Sequence, residues 1–184
     1  DFAEFITFAS TGNATDFGNL YTARDMAALS NSTRGLFGGG RPNNEYNYIY
    51  YVNIQNLADG IDFGDLTSNR FGSTGCSSST RGIFAAGTRL PSPFSLQGSN
   101  TIEFVTIAST GNATDFGDAL LARGGAASVS NSIRGLFAGG YTPSKVNGIE
   151  FITIATTGNG ADFGDMTFVS QYAGGCSDSH GGIS

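Results

Sequence analysis

Residues 103–118 read EFVTIASTGNATDFGD, and copies of this stretch recur along the whole chain. Residues 4–19 read EFITFASTGNATDFGN, residues 150–165 read EFITIATTGNGADFGD, and residues 50–65 hold a diverged copy, YYVNIQNLADGIDFGD. The copies follow one another at intervals of 46–53 residues. Self-similarity at such a period is the signature of a repeat architecture, in which each unit forms one supersecondary structure.

A second block follows each copy of the first. It reads SNSTRGLFGGG at 30–40, SSSTRGIFAAG at 77–87, SNSIRGLFAGG at 130–140 and SDSHGGIS at 177–184. The two blocks together divide the 184 residues into four units of a single domain, at about 1–40, 41–87, 88–140 and 141–184.

Each unit has the pattern of four short strands. Residues 102–107 alternate with period two and mix β-branched and aromatic side chains, which is typical of a half-buried strand. Gly and Asn tolerate positive φ, so residues 109–112 (STGN) predict a tight turn. Three further strands are predicted at 113–120, 124–129 and 134–138. The sequence therefore predicts an all-β protein.

The composition supports that class and excludes others. The chain holds 28 Gly, 15 Phe and 7 Tyr but only 13% charged residues, which is unlike a disordered chain or a helical bundle. Its net charge is −6 with 9 Lys and Arg, so it lacks the cationic surface that nucleic acid requires. Since no apolar run approaches the ~20 residues of a membrane helix, we expect no membrane insertion.

The order of these blocks resembles the kelch repeat. In kelch proteins an apolar strand ends in a Gly-Gly doublet, and later strands carry an aromatic residue, a Trp and then an Arg. The corresponding residues are the doublets Gly39-Gly40 and Gly139-Gly140, the aromatics Phe5, Tyr51, Phe104 and Phe151, the Trp positions Phe17, Phe63, Phe116 and Phe163, and the arginines Arg24, Arg70 and Arg123. Phe in place of Trp makes this a divergent set.

The resemblance implies a kelch-like β-propeller of four blades. The units begin and end in mid-blade, so the first and last strands would share one closing blade. Two alternatives stay open, namely a window from a longer repeat chain and blades completed by another chain. The motifs TGNATDFGD and STRGLFGGG also resemble repeats of virion and tail-fibre proteins of marine bacteriophages.

Two kinds of charged residue recur at fixed repeat positions. We interpret both as scaffold, with each Asp accepting turn N–H groups and each Arg tying neighbouring strands by bidentate hydrogen bonds. The alternative is a ring of arginines at one mouth of a channel, binding an acidic group. The residues are Asp16, Asp62, Asp115 and Asp162, with Arg34, Arg81 and Arg134.

No catalytic, metal or cofactor site is predicted. His180 is the single His, four residues from the C-terminus and without the partners of a triad. Cys76 and Cys176 are read as buried or half-buried thiols, and no His/Cys cluster offers ligands to zinc or copper. An enzyme that processes glycans is therefore only a distant alternative.

The loops that differ between units are the candidate binding surface. Tyr and Asn suit carbohydrate or protein contacts because they combine flat apolar area with polar edges. We predict contacts through Arg41, Asn43, Asn44, Tyr46, Tyr48, Arg89, Phe94 and Tyr141. The predicted function is a structural or adhesive module of a virion or extracellular assembly, which self-associates and contacts other subunits or a host glycan. A propeller lectin with one site in each blade gap is the alternative.

Overall fold

A computed structural model describes residues 2–21, 24–41, 45–92 and 95–176. Within them the chain is all-β, with antiparallel pairing throughout and no helix long and apolar enough to cross a membrane. The strands are β1 (Phe2–Phe5), β2 (Thr15–Asn19), β3 (Ala27–Ser30), β4 (Arg34–Gly38), β5 (Tyr48–Asn53), β6 (Ile61–Asp65), β7 (Thr74–Ser77), β8 (Arg81–Ala85), β9 (Thr88–Ser92), β10 (Ser95–Thr106), β11 (Thr114–Arg123), β12 (Ala127–Ser130), β13 (Arg134–Ala138), β14 (Tyr141–Thr142), β15 (Ser144–Thr153) and β16 (Ala161–Ser170).

The strands form four consecutive sheets. The first sheet pairs β1 with β2, and the second has the order β3-β4-β5-β6. The third has the order β7-β8-β10-β11 with β9 beside β10, and the fourth has β12-β13-β15-β16 with β14 beside β15. Each of the last three sheets combines two strands of one repeat unit with two of the next.

The predicted strand at 134–138 is confirmed at both ends by β13, while other bounds differ. The strand predicted at 102–107 begins earlier, because β10 starts at Ser95 and pairs there with β9. The strand predicted at 113–120 continues to Arg123, which pairs with Ser99. The strand predicted at 124–129 is shorter, since Gly125 turns the chain with a φ of +65° before β12 starts at Ala127.

Every Asp-Phe-Gly lies at a β-bulge. In the third sheet Ile102 faces Gly117 and Glu103 faces Asp115, so Phe116 is the extra residue on its strand. The ring of Phe116 packs edge-on against Phe104, with centroids 6.1 Å apart. The same register shift occurs between Ala3 and Glu4, between Ile49 and Tyr50, and between Ile149 and Glu150. A bulge re-aims side chains, and here it directs one Phe per unit onto the neighbouring aromatic ring.

The core lies between consecutive sheets. Between the second and third sheets it contains Leu36, Ile49, Phe63, Phe84 and Ile107, and between the third and fourth it contains Ile83, Ile102, Phe116, Phe137 and Ile154. Burying side chains of this size stabilises by about 1.5–3 kcal/mol each. The sheets therefore pack face to face as one series.

The small-residue strands β3, β7 and β12 are the most crowded part of the series. A Cβ at Gly75 of β7 would lie 2.7 Å from the carbonyl oxygen of Ala28 in β3. The Ser77 hydroxyl donates to the Ser30 carbonyl at 2.8 Å, and the Ser130 hydroxyl donates to the Ser77 carbonyl at 3.0 Å. Together with Gly175 and Cys176, these strands line a cavity of about 250 Å³.

One residue per unit connects the series through its backbone. Asp25, Gly72, Gly125 and Tyr172 stand at the same repeat position, and their φ angles are +59°, +60°, +65° and +54°. The N–H of Gly72 donates to the Asp25 carbonyl, that of Gly125 to Gly72, and that of Tyr172 to Gly125, at 2.7–2.8 Å. Each unit therefore places the next one by a backbone hydrogen bond.

Candidate binding cleft

Two of the contacts between sheets are held by a buried ion pair. Arg70 follows β6 and lies 2.5 Å from the Glu103 carboxylate on β10, with both side chains fully buried. Arg123 at the end of β11 pairs in the same way with Glu150 on β15. Burial lowers the pKa of both arginines, and the opposite glutamate counteracts this shift.

The glutamates also satisfy backbone groups of the preceding sheet. Glu103 accepts the Thr67 N–H at 3.0 Å and the Thr67 hydroxyl, and Glu150 accepts the Leu120 N–H at 2.6 Å. The ion pairs and these hydrogen bonds link the second sheet to the third and the third sheet to the fourth.

Between the first and second sheets, the same position holds Tyr50 instead of Glu. Arg24 follows Asp16 by eight residues, as Arg70 follows Asp62, but it is exposed and its backbone pairs with Arg41, as that of Phe71 pairs with Thr88. Tyr21, at the position of Thr67 and Leu120, stacks on Tyr50 with ring centroids 5.2 Å apart and an interplanar angle of 21°. An aromatic pair therefore stands where the other contacts have a buried carboxylate.

This substitution leaves a cleft, which we call the tyrosine cleft. It encloses about 550 Å³ and is lined by Tyr21, Tyr48, Tyr50, Gly60, Ile61, Asp62 and Asp65. Tyr48 lies 6.1 Å from Tyr50, and Tyr46 stacks on Tyr48 at 5.2 Å, so four tyrosine rings form a continuous row. The cleft is large enough for one or two small rings of a ligand.

The chemistry of the cleft suits a neutral, hydroxylated ligand. Burial raises the pKa of Tyr50, and Tyr48 and Asp62 raise it further, so the phenol keeps its proton and can donate. Tyr21 and Tyr48 are 64% and 44% exposed, so both residues keep aromatic surface that a ligand can contact. The carboxylates of Asp62 and Asp65 can accept hydrogen bonds from hydroxyl groups.

The predicted contact residues differ in their described contacts. Tyr46 and Tyr48 belong to the row of rings described above. Arg41 instead pairs with Asp25 at 3.1 Å and lies over the Phe71 ring, while Arg89 donates to the Ser68 hydroxyl at 2.5 Å. Tyr141, 41% exposed, forms a backbone bridge with Gly124 and does not line the tyrosine cleft. Asn43, Asn44 and Phe94 lie outside the described residues.

The recurring aspartates and arginines have different roles. The side chains of Asp16, Asp62, Asp115 and Asp162 are exposed, and the Asp16 carboxylate accepts the Gly18 N–H at 3.1 Å. Arg34 and Arg81 each donate from one nitrogen, at 2.9 Å, to the carbonyls of Ile107 and Ile154 in the next sheet. Arg34, Arg81 and Arg134 also stack over Tyr51, Phe104 and Phe151. Arg34 and Arg81 thus link neighbouring sheets through one nitrogen each, whereas bidentate pairs were predicted.

Sequence reasoning missed Tyr21, Tyr50 and Asp65 as members of a cleft. The available signal was the divergence of YYVNIQNLADGIDFGD, in which Tyr50 replaces the Glu of the other copies. Tyr50 lies on β5, whereas the prediction from the sequence placed the binding surface in the loops.

The two cysteines differ in environment. Cys76 is buried among the core residues, and burial raises its pKa to about 12, so its thiol stays protonated. Cys176 is exposed, so the expectation of two buried or half-buried thiols is wrong for this residue. Across the described ranges, no group of three or more His, Cys, Asp or Glu side chains is placed to hold a metal ion.

Comparison with protein-family models and with curated proteins gives no match to this chain.

Proposed function

We propose that this chain is a non-enzymatic structural and adhesive module of a virion or extracellular assembly, in which the consecutive sheets are the blades of a kelch-like propeller. The observation that carries the proposal is the tyrosine cleft. At this place the buried ion pair of the later contacts is replaced by stacked tyrosine rings beside an open cavity.

A glycan is the ligand that the cleft favours. Sugars present apolar C–H faces that stack on tyrosine rings and hydroxyl groups that donate to carboxylates, and the cleft offers both in one cavity. The acidic character of the chain, with a pI of about 4.5 and 9 Lys and Arg, supports a role on a particle surface in preference to nucleic-acid binding.

The lectin alternative, with one site in each blade gap, makes a different prediction of stoichiometry. The equivalent positions between the later sheets are filled by Arg70–Glu103 and Arg123–Glu150. These ion pairs leave the tyrosine cleft without a counterpart there, which supports one glycan site per chain over several.

A glycan array followed by calorimetric titration of the best ligand tests the proposal. We expect one site per chain, and a loss of affinity of about tenfold in Tyr21→Ala, because one stacked ring is worth about 0.5–1.5 kcal/mol. Tyr141→Ala is the matched control, since Tyr141 is similarly exposed but lies outside the cleft. Absence of glycan binding would reject glycan recognition. Equal affinity of wild type and Tyr21→Ala would reject the cleft as the site.

A further inference from the structure

The contacts between consecutive sheets repeat one backbone arrangement, which we call the joint. In each joint the Gly of Asp-Phe-Gly faces the turn of the next unit. A Cβ at Gly18, Gly64 or Gly117 would lie 2.5–2.6 Å from a carbonyl of Ala58, Gly111 or Gly158. Such a distance leaves no room for a side chain, so backbone packs directly on backbone.

Hydrogen bonds fix the register of the joint. The N–H of Gly111 donates to the Phe63 carbonyl at 2.7 Å, and that of Gly158 donates to the Phe116 carbonyl at 2.8 Å. A side chain of the turn also accepts a hydrogen bond from the strand. The Asn159 side-chain oxygen accepts one from the Asp118 N–H at 3.0 Å. The joints therefore combine a strand face with the sequence Phe-Gly-Asp or Phe-Gly-Asn and a turn with the sequence Gly-Asn or Ala-Asp.

The described residues contain one more strand face and one more turn of this kind, and neither belongs to a formed joint. The strand face is Phe163-Gly164-Asp165 on β16, and the turn is residues 8–14, which include Gly12-Asn13. A Cβ at Gly12 or at Gly164 would meet no described atom within 4 Å, although Gly164 has the same backbone conformation as the others, with a φ of +137°.

Exposure confirms that this strand face and this turn are open. Phe163 is 53% exposed, whereas Phe63 and Phe116 at the same position in formed joints are 2% and 3% exposed. Phe8 in the turn is 99% exposed, whereas its counterparts Ile54, Ile107 and Ile154 are 44%, 0% and 1% exposed. The strand face and the turn thus present the apolar surface that the joints of the second, third and fourth sheets bury.

We propose that the strand face 163–165 of one copy binds the turn 8–14 of a second copy, and so forms a further joint between chains. The occupant is specified by the molecule itself, because the formed joints show which turn this strand face accepts. Among the described residues neither the strand face 163–165 nor the turn 8–14 has a partner at its glycine, and a second copy carries the complement of each.

The new joint has a defined set of contacts. Asn13 accepts the Asp165 N–H, as Asn112 and Asn159 do from their partners. The exposed Arg134 guanidinium donates to the Phe8 carbonyl, as Arg34 and Arg81 donate to Ile107 and Ile154.

The buried ion pair is missing from this joint. Ser170 stands at the position of Arg70 and Arg123, opposite Glu4. This makes the joint between copies weaker than the two that hold an ion pair, and reversible.

Each copy offers one strand face and one turn, so association is head-to-tail and gives rings or open filaments. This inference rests on the assembly role proposed above and deepens it. Self-association is measured without any glycan, so its failure would leave the glycan result unaffected, and the reverse also holds.

Sedimentation equilibrium over a series of concentrations tests the interface. Ala14 in the turn is exposed, but its counterparts Gly60, Ala113 and Gly160 are buried in formed joints, so Ala14→Glu blocks the turn without touching the core. Ser10→Glu is the matched control, because its counterpart Ser109 stays exposed in a formed joint. We expect wild type to form assemblies of more than two copies at high concentration. Ala14→Glu should need at least a tenfold higher concentration to associate. Ser10→Glu should change the concentration needed for association less than twofold.

Mixing separates head-to-tail binding from other modes. Phe163→Glu blocks the strand face, and its fold is checked by circular dichroism beside Ala14→Glu. At concentrations where wild type associates, each variant alone should be monomeric, and an equimolar mixture should give a complex of two copies joined by the one intact strand face and turn. A mixture that stays monomeric would overturn the proposal. So would a monomeric wild type whose melting temperature falls in Ala14→Glu, because the chain would then join its own strand face and turn.

Discussion

The joint between the third and fourth sheets and the joint between the first and second sheets share a backbone but differ in their side chains. In the former, Arg123 and Glu150 are paired and buried. In the latter, Tyr50 replaces the glutamate and Arg24 is exposed. The backbone contact of Gly117 with Gly158 has the same form as that of Gly18 with Ala58. The backbone contacts therefore hold the sheets together, and the side chains determine whether the space between two sheets is filled or open to a ligand.

The largest effect is expected from removing the charge of Glu150. Glu150→Gln leaves the Arg123 guanidinium buried without its counter-charge, which costs about 3–5 kcal/mol in the free energy of unfolding. Tyr50→Phe also removes only a polar group, but this group lies in the open cleft. Its free energy of unfolding should therefore stay within about 0.5 kcal/mol of the wild-type value. Urea denaturation followed by circular dichroism measures both. Similar losses in the two variants would contradict the difference between the joints.

A double substitution sharpens this result. Arg123→Met with Glu150→Leu removes both charges and keeps apolar volume, so it should recover much of the stability lost in Glu150→Gln. A double variant as unstable as Glu150→Gln would show that the loss comes from packing and not from the unpaired charge.

The next effect concerns the glycines of the joints. Gly117→Ala places a methyl group 2.5 Å from the Gly158 carbonyl oxygen, whereas Gly164→Ala meets no described atom. Both positions have positive φ, at +144° and +137°, so the backbone strain is shared and the difference measures the contact. We expect Gly117→Ala to be less stable than Gly164→Ala by about 1–3 kcal/mol, the usual cost of overpacking. Thermal melting in dilute solution measures this, and equal melting temperatures would show that the joint does not resist a side chain.

The smallest effect is expected from the side chains that accept hydrogen bonds across a joint. Asn159 accepts the Asp118 N–H at 3.0 Å, and Asp59 accepts the Asn19 N–H at 2.8 Å. Asn159→Ala and Asp59→Ala should each cost about 1 kcal/mol in the free energy of unfolding. Asn13→Ala is the control, because Asn13 stands at the same repeat position in the open turn. Its stability in dilute solution should equal wild type, and a loss as large as that of Asn159→Ala would indicate that the turn is already paired.

Much of the fold follows from the sequence because the pattern is local and repeated. Alternation along 102–107 and the Ser-Thr-Gly-Asn turn identify β10 and the turn before β11, and Arg134–Ala138 has the predicted bounds. The bulge at each Asp-Phe-Gly does not follow, since it depends on the pairing of Ile102 with Gly117 across two strands. The propeller arrangement stays a prediction.

The cleft was predictable only in part. Tyr46 and Tyr48 stand out in a variable loop by composition alone. Tyr50 is significant because it occupies the repeat position of Glu103 and Glu150. The burial of these glutamates beside an arginine on another sheet is a property of tertiary packing. Asp65 enters the cleft because the space beside Tyr50 is not filled. A sequence alone does not reveal which repeated residue is buried, so it does not reveal which departure opens a cavity.

The backbone character of the joint has a consequence for how such a chain can change over time. Since Gly117 and Gly158 meet through groups that every residue possesses, one unit does not have to be matched to its neighbour side chain by side chain. A duplicated unit can be inserted, exchanged or allowed to drift, provided that it keeps one glycine on the strand and a turn of the right shape. The second unit, which has lost most of the shared sequence before Asp62 yet keeps its place between its neighbours, is an example of that freedom.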